Sequence, residues 1–508
     1  MSASIHNIIT FIICFLFMEC IMPNGAMGQT LHVGSGYPYE TLTDATDIAI
    51  PGDTIRVHEG TYTGGIFIAD LQGLPTAWIY ILAAEGETVI FDGGSNAWQF
   101  SDAAYLYIAG FIFEHQTGNG VNFDDGGTYD TPAHHITFEN CSFQNINATG
   151  NNDLLKLSGL DDFLIVNCSF LNGAEGGSGI DMVGCHDGSI RNCHFEDLGS
   201  NSIQAKGGTR NIRIERNIFK NGGARAVNLG GSTGLPFFRP IDAPYEAADL
   251  KVYSNIFIGS EASVAFVGCI NTEVVNNSIF LPEKWVMRIL QETVDPTRFP
   301  PCGNNTFRNN IVYLDNRLNT ECNIGPDTAP ETFTFSNNLW YQSDDINWGG
   351  PDLPVIDVDQ ILNEDPLFTD VASDDFTLLE GSPAIGQGFD VTDPLVDYAG
   401  EDFLDPRSIG AFEGGMVTGT ENVFEKVEEN VLTWPNPANG FIYIKIAEGM
   451  EGPFHVNIFN ADGKAVYVKE AIVSEGIIYI DIPQVPFGNY VVEVKGKKEN
   501  MTQAILFK

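Results

Sequence analysis

The sequence predicts an all-β chain in two parts: a parallel β-helix over residues 29–413 and a small antiparallel Ig-like β-sandwich over residues 431–508. Three observations carry that prediction. One phrase, a short β-rich run followed by Asn or Cys two positions before a large apolar residue, occurs eight times between Ile136 and Gln342. No part of that region shows the 3.6-residue apolar spacing of a helix. Past residue 430 the pattern changes to alternating strands divided by Gly, Asn and Pro turns, as in "WPNPANGFIYIKI" and "HVNIFNADGKAVY", which reads as antiparallel pairing.

The repeat runs "ITFENCSFQN", "LIVNCSFLN", "SIRNCHFED", "IRIERNIFKN", "LKVYSNIFIG", "EVVNNSIFLP", "TFRNNIVYL" and "FTFSNNLWYQ". Its large apolar residues are Phe143, Phe170, Phe195, Phe219, Phe257, Phe280, Val312 and Trp340, in steps of 27, 25, 24, 38, 23, 32 and 28 residues. A unit of roughly 24 residues holding three short strands is one coil of a parallel β-helix, each strand pairing with its copy about 4.8 Å above. The apolar column then becomes the core. Cys141, Cys168, Cys193, Asn217, Asn255, Asn310 and Asn338 form an internal ladder whose amides hydrogen-bond along the stack. A β-sandwich would reverse direction at hairpins and would not repeat one phrase in register. The long steps mark two insertions, after Leu229 and after Leu290, that leave the same part of their coils and should project on one side. Long loops on a rigid scaffold are where binding and chemistry concentrate.

The first 28 residues read as an export signal, with the apolar run "IITFIICFLF" followed by the small-residue stretch "NGAMG". The run is too short to span a bilayer, which takes about 20 apolar residues. Residues 414–430 are the linker to the second part. Seven cysteines follow the signal; Cys302 and Cys322 bracket a loop and are the expected disulfide, while Cys141, Cys168 and Cys193 serve as small buried groups. With 67 acidic and 25 basic residues the chain carries a net charge of −42. Such a field repels nucleic acid and anionic lipid, so neither is expected as a partner. The chain is read as a monomer.

Against that charge, residues 206–225 hold six bases: Lys206, Arg210, Arg213, Arg216, Lys220 and Arg225. Strand alternation points Gln204 and Lys206 outward. The coils before and after place Lys156, Asp181, Asn228, Arg225 and Arg288 on the same outer sheet, with Arg239, Tyr245, Glu246, Glu292 and Arg298 of the insertions at its edge. Arg213, Arg216 and Lys220 fall on other faces. Adjacent His134 and His135 point to opposite sides of a strand and read as surface histidines.

The opening "LHVGSGYPYETLTDATDIAIPGDTIRVHEGTYTGG" and the closing "NEDPLFTD…DFTLLEGSPAIGQGFD…DPRSIGAFE" resemble pectate-lyase-like right-handed parallel β-helix proteins, over residues 31–413. The C-terminal part resembles the type A sorting domain of the type IX secretion system through "PNP", "NADGK" and "FGNYVVEV". That resemblance implies a Bacteroidota source, the secretion machinery as a partner, and export to the cell surface or medium. Finally, "IQAKGG…NIRIERNIFKNGGARAVNLGG" is similar to the Lys coil and Arg coil of the alginate lyase and chondroitinase B family. Two departures stand out: Leu229 or Gly230 sits where that family has its Arg, and "LGSNS" lacks its acidic calcium ligands.

These readings predict an acidic polysaccharide as substrate and β-elimination at uronate residues as the reaction. Elimination needs a cation at the carboxylate, a base for the C5 proton and an acid for the leaving oxygen. Lys206 is the expected base, Arg225 or Arg239 the neutralising cation and Tyr245 the acid. Lys156, Asp181, Gln204, Asn228, Glu246, Arg288 and Glu292 are the expected substrate-binding residues. Calcium takes the place of Arg if Asp181 and Glu175 converge, since it prefers several oxygen ligands. Two alternatives stay open: a non-catalytic surface protein that binds glycan or adheres, and a glycoside hydrolase using two of Asp181, Glu246 and Glu292.

Overall fold

A computed structural model of the chain describes residues 28–128 and 131–414, and seven strands between Val431 and Phe507. The export signal and linker read from the sequence lie outside the described residues, apart from Gly28 and Gly414. The chain divides into two compact units that part between Met416 and Val417.

The first unit is a right-handed parallel β-helix. Its coils contribute strands in rotation to three sheets of 15, 12 and 10 strands, and in each the neighbours along the sheet are copies from successive coils. The first sheet runs from Thr30–Val33 to Asp357–Val358, the second from Gly60–Thr63 to Ile361–Leu362, and the third from Ile66–Ala69 to Cys322–Ile324. A capping box of Thr41 and Asp44 starts the helix Leu42–Thr46, which buries Leu42 and Ala45 against the opening coil.

The repeated phrase builds one corner of each coil. Asn140, Asn167, Asn192, Asn276, Asn309 and Asn337 turn the chain there with φ of 52–55°, and Arg216 and Ser254 hold the position in the intervening coils. Asn suits this left-handed conformation because its short side chain bonds locally. The next residue enters the ladder. Asn217, Asn255, Asn277, Asn310 and Asn338 each accept from the backbone N–H one coil below at 2.9–3.0 Å, the first from Cys193. Asp357 ends the run by accepting from Asn338 at 2.9 Å and from the Trp340 indole at 2.8 Å. Two positions on, Phe113, Phe143, Phe170, Phe195, Phe219 and Phe257 stack with centroids 4.8–5.0 Å apart.

In the coil "EVVNNSIF" the column residue is Ile279, paired with Phe257 and Val312, and not the expected Phe280. Of the two adjacent asparagines, Asn276 makes the corner and Asn277 joins the ladder, which shifts the inward residue back by one. Phe280 lies outside, packed on Phe376 and Tyr313.

Two other expectations are corrected. All seven described cysteines are free and buried. Cys302 packs beside Cys269, whereas Cys322 opens a third-sheet strand opposite Met287, so the Cys302 to Cys322 disulfide does not form. Burial pushes the Cys185 and Cys322 thiols up to about 12. His134 and His135 do not point apart. His135 takes φ 57°, which breaks the alternation and sets the two Nδ1 atoms 2.9 Å apart.

The closing segment folds back along the barrel and is held by ions as well as by apolar contacts. Asp393 accepts both Arg213 Nη1 and Nη2, at 2.7 and 2.8 Å, and Lys251 at 2.9 Å. Asp374 pairs with Lys220 at 2.7 Å. Phe376, Ala411 and Phe412 bury against Ile256.

The second unit consists of antiparallel sheets of three and four strands. Alternate residues are buried, Ile442, Ile444, Ile478 and Ile480 in one sheet and Val456, Ile458, Val492 and Val494 in the other, the pattern of two sheets that each turn one face inward.

Candidate functional site

The register of the third sheet sets one outward column of side chains. Lys156 pairs with Asp181, Asp181 with Gln204, Gln204 with Asn228, Asn228 with Ala265, Ala265 with Arg288, and Arg288 with Asn323. Lys206 stands two residues along its strand from Gln204, in the neighbouring column beside Val183. The sequence-predicted Lys156, Asp181, Gln204, Asn228 and Arg288 therefore share a single row, brought together from five coils.

Its one carboxylate, Asp181, lies between two ammonium groups. The Asp181 carboxylate is 1% exposed, with the Lys156 ammonium in contact with one oxygen and the Lys206 ammonium 3.2 Å from the other. Lys206 also donates to Gln204 Oε1 at 3.1 Å. Asp153, which the sequence did not single out, is 2% exposed, lies 3.6 Å from Lys156 and accepts from the Ser178 N–H at 2.8 Å. Burial, and then the charge of Asp181, push Asp153 up to about 6. Burial works against the Lys156 ammonium, yet Asp181 and Asp153 together hold its pKa above the usual lysine value. Further along, Arg225 reaches over the sheet to Glu292 at 2.7 Å and to Asn228 Oδ1 at 3.2 Å. The buried Asn228 amide nitrogen has no hydrogen-bond partner. Arg288 is held by Asn323 at 3.0 Å and lies over the Trp285 ring.

The two insertions meet on one side, as their positions in the coil predict. Arg298 of the second donates to Ala243 and Ile241 carbonyls of the first at 2.9 and 2.8 Å, with its guanidinium over Phe238 and Phe299. Between residues 232–235 and 292–296 they leave a groove of about 570 Å³. It opens beside Lys206. Gly231 takes φ 155°, a conformation other residues rarely adopt, and a Cβ there would lie 2.8 Å from Gln204 Nε2 and push that side chain aside, so glycine suits the start of the first insertion this close to the sheet.

Three residues expected at the edge of the sheet serve as scaffold. Arg239 is 8% exposed and makes a two-pronged pair with Asp161, each bond 2.6 Å, and also donates to the Gly184 carbonyl at 2.9 Å. Burial opposes ionisation of Asp161, but Arg239 and His186 hold it down at about 2. Tyr245 packs with Phe238, Ala243 and Phe299 and bonds to Arg210, at the first-sheet side of the insertion. Glu246 is fully buried, and its oxygens accept from the N–H groups of Gly207 and Thr233 and the hydroxyls of Thr233 and Thr293. These roles follow from the path of the insertions, which has no period to read.

The Asp181 carboxylate, with an ammonium at each oxygen, suits a cation of higher charge poorly. Glu175 is an exposed turn residue ahead of the strand Ser178–Val183. This donor set does not fit calcium, and the chemistry below needs none. The six bases of residues 206–225 divide among the walls: Lys206 and Arg225 on the third sheet, Arg210 and Arg213 on the first, Lys220 on the second and Arg216 at a corner.

Residues 89–280 match the family described as "Right handed beta helix region", and residues 432–508 match "Secretion system C-terminal sorting domain". The chain is a right-handed parallel β-helix protein with a secretion sorting domain. That domain marks this β-helix protein for type IX secretion to the cell surface or the medium. Among solved structures it is similar to the pectate lyase Pel9A, with 14% identity, a TM-score of 0.50, and coverage of 77% of this chain and 97% of the other. It is also similar to an alginate lyase from Paenibacillus sp. str. FPU-7, with 17% identity, a TM-score of 0.39, and coverage of 66% and 99%. At these identities the likeness is one of fold. No curated protein matches its sequence. No described helix is long and apolar enough to cross a membrane.

Proposed function

We propose that the β-helix domain binds an acidic polysaccharide across its third sheet and cleaves it by β-elimination at a uronate. Lys206, as the neutral amine left once its ammonium has released a proton to water, takes the C5 proton, and the Arg225 guanidinium faces the uronate carboxylate, a task suited to a group that never gives up its own proton. The electron pair of the C5–H bond becomes the C4=C5 double bond as the C4–O bond to the leaving sugar breaks. The leaving oxygen takes a proton from water. The observation that carries this reading is the convergence of Lys206, Gln204, Asn228 and Arg225 on adjacent rungs beside an open groove. A uronate would replace Glu292 at Arg225, leaving that exposed carboxylate to solvent. A pectate lyase with the same fold supports a polysaccharide as the substrate class.

A second reading is favoured by the ion pairs themselves: Lys206 already faces Asp181, and Arg225 faces Glu292. On that reading the face binds glycan and does no chemistry. A hydrolase is the weaker alternative, since the adjacent carboxylates Asp153 and Asp181 are only 2% and 1% exposed.

The test is ultraviolet absorbance at the unsaturated-uronate band, for the full chain and Lys206→Ala, over a panel of acidic polysaccharides with and without added calcium. Product from the wild type, with binding but no product from Lys206→Ala, is the expected result. Binding without product from the wild type leaves the non-catalytic reading, and new reducing ends without unsaturation mean hydrolysis.

A further inference from the structure

We infer that the groove between the two insertions is a subsite for a neutral sugar, and that the polymer places such a sugar next to the uronate held at Lys206 and Arg225. This rests on the polysaccharide reading above and narrows its substrate class.

The first argument is the supply of charge. On the third sheet the cations are Lys156, Lys206, Arg225 and Arg288, and the carboxylates that face them are Asp153, Asp181 and Glu292. Four against three leaves one positive charge uncompensated. The strands on either side add no cation, since Ile66–Ala69, Trp98–Ser101, Val121–Asp124 and Ala262–Val267 contain no Lys or Arg, and Asp124 adds a carboxylate that cancels the surplus over the sheet as a whole. A homopolyuronate carries a carboxylate on every sugar. Its first would meet Arg225, and its neighbours would meet amides, apolar groups and the negative field of a chain of charge −42.

The second argument is the wall of the groove. None of its lining residues is basic, while Glu292 and Asp295 place carboxylates on it. The hydroxyl and N–H of Thr297 hold Asp295 ionised below the usual carboxylate range. A second uronate there would face like charge. Apolar surface is exposed instead at Leu235, Val294 and, beside the groove, Phe237, which is 67% exposed. The C–H face of a neutral sugar fits such a surface, and an exposed aromatic ring at a polar rim suits a ligand that is apolar on one face and wet on the other. At about 570 Å³ the groove is within the range of small-ligand sites, roughly 300–1,000 Å³.

The experiment compares the full chain on two unsulfated alternating polymers, rhamnogalacturonan backbone and hyaluronan, with polygalacturonate and polymannuronate, measuring affinity and unsaturated product. At least tenfold tighter binding to one alternating polymer is expected. Phe237→Ala should weaken that binding severalfold with no change in the fold by circular dichroism, and Val294→Lys should shift preference toward the homopolymers. Equal or tighter binding of a homopolyuronate, or a preference that neither variant moves, overturns this inference while leaving the elimination reading intact. Failure to bind any acidic polymer overturns both.

Discussion

Removing the Glu246 carboxylate should loosen the whole candidate face at once. Its two oxygens gather donors from three separate places: the Gly207 N–H at the turn after Lys206, the Thr233 N–H and hydroxyl in the first insertion, and the Thr293 hydroxyl in the second. Glu246→Ala strips all four of their acceptor. The two hydroxyls can rotate to other partners, but the two amides are fixed by the backbone, and each orphaned amide that stays dry costs about 1–3 kcal/mol. The pair therefore amounts to about 2–6 kcal/mol. Opening the insertions to water relieves most of that, so the loss should appear as local unfolding, because each coil of a solenoid leans chiefly on its neighbours.

The assay is amide hydrogen exchange on the full chain. At about 1.4 kcal/mol per factor of ten, a local loss of about 3 kcal/mol speeds exchange around Gly207 and Thr233 by roughly a hundredfold. Protection in the Phe170 to Phe219 core should be nearly unchanged. Glu246→Gln keeps one oxygen with its two partners and turns an NH2 toward the other two donors, so its effect should be about half. Unaltered protection at Gly207 and Thr233 in Glu246→Ala would refute the clamp.

Phe195 lies between Phe170 and Phe219 at centroid distances of 4.8 and 4.9 Å, so Phe195→Ala should lower stability in urea by about 3–5 kcal/mol. Asn277→Ala should cost about 2–4 kcal/mol by orphaning the Asn255 N–H and the Val252 carbonyl. Asn277→Cys should be milder, because Cys141, Cys168 and Cys193 hold the equivalent place in earlier coils. Burial raises Asp153 from 3.8 to about 6, so folding favours its protonated form. That contribution is complete below pH 3.8 and is lost as pH rises through 6, about 3 kcal/mol in all. The stability of Asp153→Asn should therefore gain on that of wild type between pH 4 and 7 in urea melts, and a constant difference would rule the ionisation out.

The fold was legible because a solenoid writes its core once per coil. One Phe column and one Asn or Cys ladder, each about 24 residues from its next copy, define the stacking direction and the inward face together. The reading slipped at "NNSIF", where the large Phe280 stands three positions after the ladder residue Asn277 and the smaller Ile279 holds the column place; an offset of one residue puts a side chain on the other face of its strand. The Cys302 to Cys322 pairing failed for a different reason. Loop ends that are near in sequence need not be near in a coil: Cys302 lies in an isolated bridge to Thr328 beside Cys269, and Cys322 lies in the third sheet.

The site was legible where its residues sit on strands and opaque where they do not. A period of two along the strand and a period of one coil between strands are enough to align Lys156, Asp181, Gln204, Asn228 and Arg288. Neither period reaches Arg239, Tyr245 or Glu246, whose irregular segments carry them into the scaffold, nor Asp153, which precedes its strand at a corner. The same geometry explains why the basic run of residues 206–225 looks stronger on paper than in space. Twenty residues are nearly one full circuit of the barrel, so charges adjacent in sequence are dealt out around three walls, and Arg213 and Lys220 are used up binding the closing segment. Charge that acts together on a solenoid must recur at the coil spacing. Counted that way, the third sheet sets Lys156, Lys206, Arg225 and Arg288 against Asp124, Asp153, Asp181 and Glu292, and it is this even balance that limits what the protein can hold.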